Sequence, residues 1–187
     1  MESNWEKLNV WLAKNAPQIK SSLNPPATAK QIKDTENILG ISFPEDFKQS
    51  YLIHNGQESH AEGLIDGCEL LSLDRIIDEW NVWKGLSDSG EFSEYKSEAE
   101  PPVKDDWWNE KWIPYTYNGA GDHLCIDMDP IETGRHGQVI SRWHDMPERN
   151  LLGTSFLDWF SSYIRDVENG IYTYSSEYGG IVKNEDF

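Results

Sequence analysis

The sequence predicts an α+β domain in which N-terminal helices and a C-terminal helix pack on a central, mostly antiparallel sheet. Three observations carry that expectation. Helix start and stop signals fill the first sixty residues, short alternating runs joined by glycine-rich turns occupy the middle, and an amphipathic segment follows Ser155. Helices, then strands, then a helix is the α+β order.

Ser3 and Glu6 have capping-box spacing, and Trp5, Leu8 and Leu12 then share one helical face until Pro17. After Pro25-Pro26, Thr28 and Gln31 form a second box. Ile32, Thr35, Ile38 and Leu39 make its inner stripe, and Gly40 suits the left-handed residue that ends a helix. Pro44 fits the first position of a third helix, where Glu45 and Asp46 favour the positive dipole end. Phe47 and Tyr51 lie one turn apart before Gly56. Ser72 caps a fourth helix over Leu73–Leu86 with Ile76, Trp80 and Trp83 inward. The last begins after Ser155, buries Phe156, Phe160, Tyr163 and Val167, and stops at Gly170.

Strands cluster between these helices. Asp66-Gly67, flanked by Leu64-Ile65 and Leu70-Leu71, is a hairpin dipeptide. Lys111–Tyr117 is aromatic and β-branched, and Pro114 places it at an edge or a strand start. In His123–Met128, Leu124, Ile126 and Met128 alternate with His123, Cys125 and Asp127. Gln138–His144 follows a short turn, which implies antiparallel pairing.

The chain has 187 residues, nine Trp, eight Tyr and six Phe, and a formal net charge of −17. This length predicts one domain over 1–187, and the aromatic content excludes charge-driven disorder of the whole. The excess is uneven: Met1–His60 holds seven acids and six bases, and Ala61–Phe187 holds 26 acids and ten bases. Nucleic acid and anionic membranes demand basic surfaces, so neither is an expected partner, whereas a cationic protein would be drawn in. The start lacks the basic and apolar regions of a secretory signal, and no apolar run suffices to span a bilayer. The expectation is a cytoplasmic protein with Cys68 and Cys125 as reduced, buried thiols.

Ser87–Asp106 has no hydrophobic period, includes Pro101-Pro102 and carries seven acids against Lys96 and Lys104. It is expected to be an acidic loop insertion at about 87–106, either solvated and mobile or a binding element. For a cationic partner, Glu91, Glu94, Glu98, Glu100, Asp105 and Asp106 supply charge, and Trp107 and Trp108 supply aromatic anchors.

Sequence signals for chemistry are negative. There is no His-Glu-x-x-His, no phosphate-binding Gly-Lys-Ser/Thr and no Cys-x-x-Cys. Asp127-Met128-Asp129 departs from a calcium loop at Ile131 and Glu132, and the five His have no ligand spacing, so no metal or cofactor is expected. Asp122, Asp127 and Asp129 are the candidates for a Trp-lined cleft with paired carboxylates, although turn formation is the simpler account of Asp122 and Asp129.

The run LNPPATAKQIKDTENILGISFPEDFKQSYLIHNG resembles the SUKH superfamily, which includes fungal cell-wall-assembly regulators and bacterial immunity proteins. Leu70-Leu71-Ser72-Leu73, Gly121-Asp122, Cys125-Ile126-Asp127 with Asp129-Pro130, Gly137-Gln138-Val139-Ile140 and Ser155-Phe156-Leu157-Asp158-Trp159 match in the same order. The resemblance implies an α+β domain rich in antiparallel pairing and without catalytic activity. Fungal members carry long disordered tails for which this chain has no room. The resemblance therefore implies an immunity protein that neutralises a polymorphic toxin, a cationic nuclease by the charge argument. The alternative is a small-ligand or glycan-binding regulatory module related to the cell-wall assembly regulators.

Overall fold

The computed structural model describes residues 1–184. Helix α1 (Glu2–Asn15) starts earlier than the Ser3/Glu6 signal because the Met1 carbonyl accepts from the amides of Asn4 and Trp5; no side chain caps it. Trp5, Leu8 and Leu12 are buried as the spacing requires. Pro17 opens a further short helix, α2 (Pro17–Ser21), rather than merely closing the first.

Helix α3 (Ala29–Leu39) has the Thr28/Gln31 capping box in full, and Gly40 closes it at φ +67°. Its inner stripe differs at one place. Ile38 is exposed and Glu36 is buried. The Glu36 carboxylate accepts from the Phe43 amide at 2.8 Å and pairs with Lys48 at 2.8 Å, so it holds the turn between α3 and α4 (Glu45–Tyr51). Burial alone would raise this carboxyl, but Lys48, the Phe43 amide and Lys33 outweigh it and hold it below the ordinary value. Pro44 sits one place earlier than expected, as the N-cap of α4.

Helix α5 (Leu73–Asp88) and helix α6 (Phe156–Glu168) begin at Ser72 and Ser155, whose hydroxyls accept from the Arg75 and Asp158 amides. The main sheet has the order β3-β5-β6-β8: β3 (Trp112–Pro114), β5 (His123–Asp127), β6 (Gln138–Arg142) and β8 (Leu151–Gly153), all antiparallel. Pro114 is on an edge strand, as a residue lacking an amide donor must be. Asp66 and Gly67 do form the turn, both at positive φ, but its ladder is the single bridge Ile65–Cys68. Strand β1 (Glu69–Leu70) pairs instead with β4 (Thr116–Tyr117). Beyond the last predicted element, β9 (Tyr172–Ser175) and β10 (Gly180–Lys183) form an antiparallel hairpin that buries Ile181.

The sheet is covered on both faces. One face, with Ile113, Ile126 and Val139, joins Trp5, Phe47, Phe156 and Phe160 in the main core. The other presents Trp112, Cys125 and Ile140, and Val103 from the acidic segment completes that second core at 3% exposure. The segment after α5 is thus anchored on the fold through Val103 and Ser97, while most of its other side chains face outward. Phe92 stacks on Trp83 at 5.7 Å, and β2 (Glu98–Ala99) pairs in parallel with β7 (Glu148–Arg149). Its predicted start also moves, since α5 extends through Asp88.

Candidate functional site: an aromatic cleft beside the C-terminal helix

A ring-lined concavity opens where α6 diverges from the sheet. It is a cleft of about 350 Å³ between α6, the ends of β5, β6 and β8, the Asp66 turn and β9. Trp159 and Tyr163 fall one helical turn apart on α6, so their rings lie side by side, 5.8 Å between centroids and 8° from parallel. The Tyr163 hydroxyl donates to the Leu64 carbonyl at 2.6 Å, which locks that ring; Tyr172 meets its edge at 5.0 Å. Gly153 makes the close approach of β8 to α6 possible, because a Cβ there would lie 2.7 Å from the Cβ of Trp159. Leu124, Ser141 and Trp143 come from alternate positions of adjacent strands and therefore share the face turned to α6.

No Lys, Arg or His lines this cleft; Asp66 and Asp166 are its only ionisable carboxylates among the described residues. Both are engaged. Asp66 accepts from the Lys183 amide at 3.2 Å, and Asp166 pairs with Arg165 at 3.5 Å. The Cys68 thiol is pushed up to about 12, chiefly by burial and further by Asp66 and Asp122, and burial also raises Tyr163. Both cysteines are free and buried.

The three carboxylates expected to form a cleft do not converge on one. Asp127 is fully buried and accepts from Trp112 Nε1 at 3.1 Å, Gln138 Nε2 at 2.8 Å and the Asp129 amide at 2.8 Å. Burial raises its carboxyl despite those donors. Asp129 is taken by Lys104 at 2.6 Å and by Asn109. Asp122 closes the Asn118 turn and accepts from the His144 amide at 2.7 Å. Asp122, His144 and Asp145 do bring ligand atoms within 4.8 Å of one another, yet Asp122 is committed to those internal bonds.

The residues assigned to a cationic partner are also placed plainly. Glu91, Glu94 and Glu98 are exposed. Glu100 accepts from the Leu151 amide, Asp105 from Ser97 at 2.6 Å, and Asp106 from Asn109 at 2.7 Å. Trp107 already has a cation: the Arg149 guanidinium lies 4.9 Å from its ring centroid and donates to its carbonyl at 2.9 Å. Trp108 packs on Trp80 at 6.1 Å.

Sequence reasoning missed the two arginines responsible. Arg142 and Arg149 are fully buried, and neither has a carboxylate within 4.0 Å among the described residues; Arg142 lies 3.2 Å from the Trp83 ring centroid. Burial brings Arg142 down to about 9 and Arg149 to about 10, so both stay charged at neutral pH. An arginine inside a strand with an alternating pattern was the available signal.

His123 stands beside this pair. Its Nδ1 bonds the Thr116 carbonyl at 2.7 Å and its Nε2 accepts from Trp83 Nε1 at 2.9 Å, which leaves no site for a second proton. Burial, reinforced by Arg142, lowers it to about 4. A depressed histidine contributes stability that is complete above the unfolded value and is lost as pH falls from about 6.5 towards 4. Lowering pH from 7 to 5 is expected to remove about 2 kcal/mol through this group. Urea unfolding at the two pH values measures it, and His123→Asn should flatten the slope.

The element order defines an α+β domain, in which Pro44 comes against Gly137; a Cβ on Gly137 would lie 2.8 Å from the Pro44 ring. The model of the SMI1/KNR4 family (SUKH-1) matches residues 26–162, and the chain belongs to that family. It is 24% identical to the cell wall assembly regulator SMI1 of Saccharomyces cerevisiae over 89% of this chain and 40% of that protein. It is equally 24% identical to a glucan synthesis regulatory protein of Neurospora crassa over 90% of this chain and 38% of the relative. Human F-box only protein 3 matches at 24% over 89% of this chain and 34% of its own length. The chain thus spans less than half of each of these relatives.

These relatives overturn the expected toxin-neutralising immunity protein. Their names are those of cell wall and glucan synthesis regulators. The expectation took chain length as a sign that regulator tails are absent, but a domain-length match to a longer protein carries no such information. It also counted Glu100, Asp105 and Asp106 as partner-directed, and each of these accepts a hydrogen bond from within the fold. No helix among the described residues is long and apolar enough to cross a membrane.

Proposed function

We propose that this chain is a non-enzymatic regulatory binding domain of the type shared by cell wall assembly and glucan synthesis regulators, with the α6 cleft as its recognition site. The observation that supports it is the way the alignments fall: 89–90% of this chain is covered in SMI1 and the Neurospora regulator, so this domain is the part common to those proteins. The cleft chemistry agrees. Its thiol and its buried phenol are both raised away from neutrality, which suits recognition and not acid–base or nucleophilic chemistry.

A chimera tests the reading. The aligned segment of yeast SMI1 is replaced by this chain in a strain lacking SMI1, and growth is scored on a glucan-binding dye and on a glucan-synthesis inhibitor. Restored resistance is the expected result. A chimera that accumulates folded and restores nothing would sink the proposal.

A further inference from the structure

The cleft also carries information about what it holds. Four rings line it: Trp159 and Tyr163 form one side, with Trp143 and Tyr172 around them. The Trp143 indole, the Asn150 amide and the Ser162 hydroxyl line the cleft, and none of the three side chains has a hydrogen-bond partner among the described residues. All three are neutral, and together they supply both donors and acceptors.

Charge narrows the class further. An anionic ligand would find no cation in the lining and would approach a molecule of net charge −17. A lysine or arginine side chain would find rings, but it would compete for Asp66 with the Lys183 amide and for Asp166 with the Arg165 guanidinium 3.5 Å away. What remains matched is a molecule with apolar faces and a neutral hydroxyl rim.

Resting on the reading of the cleft as a recognition site, we propose that it binds a neutral saccharide of one or two pyranose rings. A pyranose presents C–H groups on its flat face, which lie against the negative face of an aromatic ring, while its equatorial hydroxyls point outward to polar groups. A cleft of about 350 Å³ falls at the small end of the range for ligand sites. Trp143 is the central assignment, because it is only half-buried and offers both a ring face and an indole N–H.

Cellobiose, laminaribiose and N,N′-diacetylchitobiose are the probes, titrated against the full chain and followed by indole NMR shifts and calorimetry. At least one is expected to saturate below about 10 mM. Trp143→Ala should weaken that binding about tenfold or more, and Asn150→Ala, at an exposed position, about threefold. The affinity should change less than twofold between about 0.05 and 0.5 M NaCl, as a neutral ligand requires. No saturation by any of the three sugars overturns the proposal, as does binding indifferent to both substitutions. So does saturable, salt-sensitive binding of hexalysine at the same residues, which would assign the cleft to a basic peptide. The two readings fail separately. Sugar binding without complementation by the chimera sinks only the regulatory role, and complementation that survives Trp143→Ala without sugar binding sinks only the ligand.

Discussion

Replacing residues 91–105 by a short Gly-Ser linker is expected to destroy cooperative folding, with a loss of about 5 kcal/mol or more. The estimate follows from the second core. Val103, Trp112, Cys125 and Ile140 form it, and the acidic segment contributes Val103 and Ala99 to it, with Trp108 and Leu151 packed alongside. Removing Val103 and Ala99 exposes those apolar groups, and removing Phe92 uncovers the Trp83 ring that stacks on Arg142. Each large buried apolar truncation costs about 2–5 kcal/mol. Urea unfolding followed by tryptophan emission measures the loss. A thiol reagent offers a second readout, because Cys125 is 2% exposed and its thiol is pushed up to about 12 by burial. It should be inert in the native chain and reactive in the variant. A replacement variant with an unchanged unfolding midpoint would show that the segment is the solvated insert its composition suggests.

Gly56→Ala is expected to cost about 4 kcal/mol, and Gly40→Ala only about 1 kcal/mol. The two glycines have nearly the same backbone, φ +65° and +67°. Local strain is therefore common to both. What differs is the surroundings: a Cβ at Gly56 would lie 2.4 Å from the carbonyl carbon and oxygen of Leu71 and 2.5 Å from the Ser72 amide, whereas nothing lies within 4 Å of one at Gly40. Those neighbours are backbone, and they cannot swing aside. Around them the Gly56 carbonyl accepts from Asn24, the Gln57 amide bonds Leu70, and Asn55 Oδ1 accepts from the Leu73 amide. Thermal unfolding of the two variants separates the terms. Equal losses would mean that the close approach at Gly56 relaxes freely.

Local signals were well read where one segment contains its own answer. The Thr28/Gln31 box, the serine caps before α5 and α6, and the Phe47/Tyr51 pair all depend on atoms within four residues, so spacing alone locates them. Ile38 and Glu36 show where this stops. Periodicity put Ile38 inward, but the Phe43 amide and Lys48 lie across a turn, and their bonds to Glu36 rotate the helix stripe. The family motifs behave likewise: Pro44 and Gly137 stand far apart in the chain, and only the fold brings the proline ring over the glycine.

The candidate site was less legible than the fold. A Trp-lined cleft was expected with Asp122, Asp127 and Asp129, and an aromatic cleft exists elsewhere, with Trp143, Trp159 and Tyr163. Composition announces that rings are available, but it does not say which of nine indoles face a gap and which are core. Trp112, Trp5 and Trp80 are buried, Trp107 serves Arg149, and Trp143 is left half-exposed.

By itself the sequence determined the α+β order, the main helices and strands, the family and the excess of negative charge, because each is a property of composition or of neighbours along the chain. The tertiary structure alone decided that the acidic segment is anchored on the outer sheet face, that Arg142 and Arg149 supply cations for the Trp83 and Trp107 rings, and that the cleft lies beside α6. The reason is burial. Whether a carboxylate or an indole faces water or another side chain depends on contacts between residues distant in sequence, and no local pattern encodes them.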